Sequence, residues 1–191
     1  SLYINHTLWN RPGDRIYFYL RGRVGESTMR INVPCTIKPD GTGLTAHKTF
    51  IGGHPEWGHG SKVIGRQGDH QVLYDVDKKE IVGRLGTPEI IPKPGDDISF
   101  SPDGNWFANG FGRGGKNYYV LLRLTDVRLT DGANIRSQGF SRGPYQSGEL
   151  RIDPAPRWNR TSDAILVPCF TAEGTRQMFV IRVREKAGGD K

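Results

Sequence analysis

Apolar residues along this chain come in short blocks separated by polar turns, and the blocks have the length of strands. Four of them are Arg15 to Leu20, Lys62 to Arg66, Asn105 to Asn109 and Ala164 to Cys169. Each leads through a loop to a second block, namely Met29 to Val33, Val72 to Val76, Tyr118 to Leu124 and Met178 to Val183. The longest apolar runs, such as Tyr118 to Leu122 and Ala164 to Val167, fall far short of the roughly 18 residues that a membrane-crossing helix needs.

The blocks belong to a repeat. Four segments align on an aromatic residue in fourth place: His6-Thr-Leu-Trp9, His54-Pro-Glu-Trp57, Asp97-Ile-Ser-Phe100 and Ala155-Pro-Arg-Trp158. A polar turn and an apolar strand follow each aromatic. Turn chemistry agrees, since Ser101-Pro102-Asp103-Gly104 and Arg11-Pro12-Gly13-Asp14 place Pro where φ must be preset and Gly where it must be permissive. Repeats of this length, each a small antiparallel sheet, are the signature of a β-propeller. The predicted fold is therefore all-β: four repeats of antiparallel strands as blades over about 1–50, 51–95, 96–150 and 151–191, in one propeller segment. Each aromatic is expected to pack between neighbouring blades, and Trp106 in the core. The last blade shows no outer strand before the basic, Gly-rich stretch at 184–191. A part of a larger ring, or a ring completed by a homo-oligomer, is the expectation, because an open ring leaves sheet edges unpaired; closure as a four-bladed ring is the third alternative.

Composition sharpens this only in part. The 191 residues include 26 Gly and 12 Pro, which disfavours long helices, and 35% are hydrophobic, enough to build a core at this length. Lys and Arg number 27 against 20 Asp and Glu, a net +7 that favours an anionic partner. Nucleic acid is disfavoured, since no basic run reaches five residues. Cys35 and Cys169 are too few and too distant for a CxxC metal site or a disulfide framework, and read as buried thiols. No targeting motif is present, and Ser1 reads as a processed start. GxSxG, HExxH, P-loop and EF-hand motifs are absent, which leaves hydrolase and nucleotide chemistry without an anchor.

The run Phe100 to Asn109, with its Ser-Pro-Asp-Gly turn, resembles the repeats of TolB-type propellers. Gly148 to Arg160, Gly174 to Val180 and Gly53-His54-Pro55-Glu56-Trp57 together resemble the C-terminal blades of the oligogalacturonate-lyase-like branch of that superfamily. The resemblance implies a bacterial protein of periplasm or cytoplasm. It also implies a divalent metal, manganese with zinc or iron as alternatives, held by histidines, and lyase cleavage of uronic acid oligosaccharides by β-elimination. A metal and an Arg would neutralise the uronate carboxylate so that a base can take the C5 proton. A noncatalytic TolB-like scaffold for a protein partner is the competing implication, and a propeller fragment with no activity of its own is a third reading. The sequence departs from the lyases in lacking a Gln-x-x-His-x-His cluster, and blades three and four carry Asp97 and Ala155 where the first two carry histidine.

The residue three before each aromatic starts a blade's innermost strand, so His6, His54 and Asp97 form the candidate metal set. No residue qualifies as the catalytic base on spacing: His59 and His70 read as turn residues, and His47 as an outer-strand residue facing solvent. Arg66, Arg113, Arg151 and Arg157 are candidates to grip a carboxylate. Arg113 stands out within Gly110 to Gly115, which reads as a hairpin with a mobile tip. The Gly/Ser-rich stretch Arg136 to Gly148 reads as a long loop, in which Arg142 meets a sugar carboxylate while Tyr145 or Phe140 stacks on its ring. Arg113, Arg142 and Tyr145 are the predicted substrate-binding residues, with an acidic oligosaccharide as ligand.

Overall fold

The computed structural model describes residues 1–25, 30–86, 88–125 and 128–184, and of residues 125 and 128–138 the backbone alone. Among these residues every regular element is a strand, in four antiparallel sheets of three or four strands. No helix is long and apolar enough to cross a membrane. These are propeller blades, and the chain divides into two compact units, Ser1–Gly95 and Asp96–Lys191.

The first unit holds two meanders. One runs β1 (Leu2–Trp9), β2 (Ile16–Arg23), β3 (Arg30–Ile37), β4 (Thr45–Ala46); the other runs β5 (Gly52–Trp57), β6 (Lys62–Gln67), β7 (His70–Asp75), β8 (Glu80–Leu85). The β1–β2 turn is built by the residue after the aromatic: Asn10 Oδ1 accepts the N–H groups of Asp14 and Arg15, both at 3.0 Å. Alternation along β2 and β7 sends Tyr17, Tyr19, Val72 and Tyr74 into a core shared with Ile51, Trp57 and Val63. Trp57 is 3% exposed, and its indole Nε1–H donates to the Leu8 carbonyl of the neighbouring sheet at 2.9 Å. The expected packing of an aromatic between blades is thus observed, with a hydrogen bond added. Trp9 departs from it and is 57% exposed.

The second unit repeats the device. One sheet comprises β9 (Ile98–Phe100), β10 (Trp106–Arg113), β11 (Lys116–Thr125) and β12 (Arg128–Ser141); the other, three-stranded, comprises β13 (Arg157–Trp158), β14 (Ala164–Phe170) and β15 (Arg176–Arg182). Trp158 Nε1–H donates to the Ser99 carbonyl at 3.1 Å, the counterpart of Leu8, because each acceptor immediately precedes its own blade's aromatic. Asn159 Oδ1 accepts Asp163 N–H and Ala164 N–H at 3.1 Å, as Asn10 does in the first sheet. Ala108, Tyr119, Leu121, Ile165 and Val167 form the core, with Phe140, Trp158 and Ile181 against it.

Three sequence expectations change. The stretch 136–148 is not one long loop, since β12 occupies it as far as Ser141, and the Phe140 ring packs on Tyr119 and Phe179 instead of awaiting a sugar. Trp106 is only half-buried, with the Arg123 guanidinium 5.9 Å from its ring. His47 does not face solvent. It is 3% exposed, with Nε2 on the Thr36 hydroxyl and Nδ1 on the Tyr74 hydroxyl, each at 3.0 Å. Both cysteines are buried free thiols.

Candidate functional site

The innermost strands of the first unit both lose regular pairing where their histidine sits. Between Asn5 and Leu8 the β1 strand spends three residue steps against two on β2, and between Gly52 and Glu56 the β5 strand spends four against two on β6. Such bulges re-aim side chains. His6 lies inside the first with φ of 54°, a left-handed conformation uncommon for a residue with a Cβ. In the second, Gly53 has φ of 84°, and a Cβ there would lie 2.3 Å from the Gly95 carbonyl oxygen, so only glycine fits. His54 N–H donates to that same carbonyl at 3.0 Å, and Gly95 N–H donates to the buried Gln71 Oε1 at 2.9 Å. Gln71 therefore fixes Gly95, and Gly95 fixes the backbone that presents His54.

The two imidazoles are stacked, with centroids 5.3 Å apart and planes 26° from parallel. The Tyr19 ring meets His6 edge-on at 5.7 Å and carries the Arg21 guanidinium 4.7 Å from its centroid. Tyr19 is itself fixed by donating its hydroxyl to the Ile51 carbonyl. Burial, then the neighbouring His54 and Arg21, hold the His6 pKa below the ordinary histidine value. His6 is thus neutral at pH 7, with one ring nitrogen able to accept a proton, and its Nδ1 is buried without a hydrogen-bond partner. His54 is exposed. The pair therefore combines a neutral, half-buried imidazole with an exposed one beside a fixed guanidinium.

The same geometry bears on metal binding. Imidazole coordinates through lone pairs in the ring plane, so near-parallel stacked rings direct theirs side by side and not onto one ion. Asp97 belongs to the second unit, where its carbonyl accepts Gly110 N–H at 2.8 Å. Among the described residues no group of three or more His, Cys, Asp or Glu side chains is placed to hold a metal ion. His6 and His54, as stacked, do not converge on one ion.

In the second unit, Arg113 ends β10 and pairs with Lys116 across a turn of Gly114 and Gly115. Arg142 and Tyr145 follow β12 in one turn, closed by Tyr145 N–H on the Arg142 carbonyl at 3.0 Å. The Arg142 guanidinium lies over Gly112 in the same hairpin that carries Arg113. Tyr145 meets Phe170 edge-on at 5.7 Å, and Arg176 sits 5.1 Å from its ring centroid. Tyr145 is thus partly engaged by the protein itself. Arg157 is a structural residue, its Nη1 donating to the Ile98 and Pro156 carbonyls at 3.1 and 3.0 Å, and Arg151 pairs with Asp153 at 2.7 Å. Sequence reasoning passed over Tyr19, Arg21 and Gln71. Only the arginine left a signal, as the residue that ends the apolar run of β2.

No family model and no curated protein matches the chain. Solved structures do. An oligogalacturonate lyase in complex with manganese superposes with a TM-score of 0.63 at 13% identity, over 96% of this chain and 49% of that one. TolB from Acinetobacter baumannii gives 0.60 at 11% identity over 95% and 41%, and the hydrazine synthase of Kuenenia stuttgartiensis gives 0.55 at 11% over 93% and 50%. At these identities the likeness establishes the propeller fold alone. The chain spans about half the length of the structures it resembles.

Proposed function

We propose that this chain is a segment of a propeller that binds acidic oligosaccharides, with the sugar recognised at the His6–His54 pair. The observation that carries the reading is the convergence of a neutral imidazole, an exposed imidazole and the Tyr19-bound Arg21 at two bulged inner strands. A guanidinium suits a uronate carboxylate, and imidazoles suit ring hydroxyls as donor and acceptor. The net charge of +7 and the fold likeness to an oligogalacturonate lyase support the same ligand class. His6 also has the protonation state of a base, the role that proton abstraction beside a uronate carboxylate requires. Arg113, Arg142 and Tyr145 are proposed as a secondary contact region on the second unit.

The test is calorimetric titration with a uronate trisaccharide and its neutral methyl ester, on the wild type and on His54→Ala. The reading expects preference for the acid and a loss of about tenfold or more in the variant, the scale of one charge-assisted hydrogen bond. Equal affinity in both proteins would show that the pair is not the site. Release of an unsaturated, ultraviolet-absorbing product would add elimination to binding.

A second reading, a TolB-like scaffold for a protein partner, is favoured by one observation. Leu166, Met178 and Val180 lie on one face of β14–β15 and are all exposed. Partner-dependent stabilisation that Val180→Arg abolishes, together with no affinity for sugars, would favour it.

A further inference from the structure

The first sheet outruns the second. β2 and β3 have eight residues each, whereas β6 and β7 have six. Because successive side chains alternate, Tyr17, Tyr19, Arg21 and Arg23 share one face of β2. The two tyrosines are fully buried in the core with the second sheet, and the two arginines continue the same face past it, Arg21 half-buried and Arg23 exposed. Strand register completes the row: Tyr3 and Asn32 stand opposite Arg21, and Arg30 stands opposite Arg23. The result is a cleft of about 500 Å³ lined by Tyr3, Arg21, Arg23, Arg30 and Asn32 together with Ser1, and among the described residues none of its lining side chains is a carboxylate.

This arrangement carries a cost for the sheet. Directly opposed like charges on neighbouring strands destabilise a sheet, and Arg23 faces Arg30 across the β2–β3 ladder. One guanidinium is also preset: Arg21 Nε donates to Asn32 Oδ1 at 3.0 Å while its plane rests against the Tyr19 ring. Tyr19 in turn touches His6, so the cleft and the histidine pair lie on one continuous sheet face. Tyr3 is 53% exposed and offers a ring beside the guanidiniums. Volumes of this order accommodate small ligands.

We propose that this cleft is an anchoring site for an acidic oligosaccharide, with Arg21, Arg23 and Arg30 holding carboxylates of successive sugars and Tyr3 stacking on a sugar ring. The proposal rests on the acidic-sugar reading above and extends it to residues outside the histidine pair. A uronate fits better than a nucleic acid strand, which needs positive charge tracking along a groove. Here the three arginines are confined to one end of one sheet.

The experiment is calorimetric titration of the whole chain with a uronate trisaccharide, its methyl ester and a single-stranded oligonucleotide. The variant is the double substitution Arg23→Gln with Arg30→Gln. Both residues are exposed, and far-ultraviolet dichroism and the urea midpoint establish that the variant folds. The expected result is tenfold or greater loss of trisaccharide affinity, with the ester bound weakly by both proteins. Retained affinity in the double variant overturns the cleft and leaves the acidic-sugar reading standing. No binding of the trisaccharide by the wild type overturns both. Tighter binding of the oligonucleotide, abolished in the variant, overturns the ligand class.

Discussion

Replacing Trp57 with Phe isolates the hydrogen bond that locks the two sheets of the first unit together. A ring remains between the sheets, but the donor to the Leu8 carbonyl and part of the buried indole surface are lost. The missing bond costs about 1 kcal/mol. The lost packing at a site only 3% exposed costs a further 1 kcal/mol or so, the lower end for a large-to-small core change because a ring is kept. Trp57→Phe should therefore lose about 2 kcal/mol. Urea denaturation followed by far-ultraviolet dichroism reads this without relying on tryptophan emission, and the midpoint should fall with the slope unchanged. Trp9→Phe, altering an exposed ring, is the internal control and should change stability by less than about 0.5 kcal/mol. A Trp57→Phe protein as stable as the wild type, or a Trp9→Phe protein equally damaged, would refute the idea that the repeat aromatic locks adjacent blades through its indole.

Two further outcomes follow from the same unit. His47 has its pKa lowered by burial first and then by the charges of Lys79 and Arg15, and His6 by burial, His54 and Arg21. Since the unfolded chain then takes up protons first, the stability these groups contribute is whole above about pH 6.5 and is lost as pH falls toward their lowered values. Urea midpoints measured across that window should fall on acidification, and His47→Gln should flatten part of the slope; a midpoint independent of pH there contradicts the assignment. Gly53→Ala forces a Cβ against the Gly95 carbonyl at a φ of 84°, and should lose about 1–3 kcal/mol together with trisaccharide affinity, as urea and calorimetric titrations would show.

The fold was legible because its determinants are local and repeated. The aromatic, the turn after it and the apolar strand beyond recur in each sheet, and Asn10 and Asn159 build equivalent turns. The site was legible only where a strand start announced it, in His6 and His54. What brings Arg21, Arg23, Arg30, Asn32 and Tyr3 together is cross-strand register, which no spacing along the chain displays. His47 was misjudged for a related reason, since its partners Thr36 and Tyr74 lie 11 and 27 residues away and make a polar residue suitable for the interior. Phe140 sits in a Gly/Ser-rich stretch whose composition suggests a loop, yet β12 pairs with β11 through it and carries the ring into the core.

The central claim is that one sheet face of the first unit, from the histidine pair to the arginine cleft, takes an acidic sugar. Amide chemical shifts of the isotope-labelled chain during titration with a uronate trisaccharide test it most directly. The account predicts saturable shifts at Tyr3, His6, Arg21, Arg23, Arg30, Asn32 and His54, at concentrations at least about tenfold lower than any produced by the neutral ester. No saturable shift, or shifts confined to residues after Gly95, would contradict it.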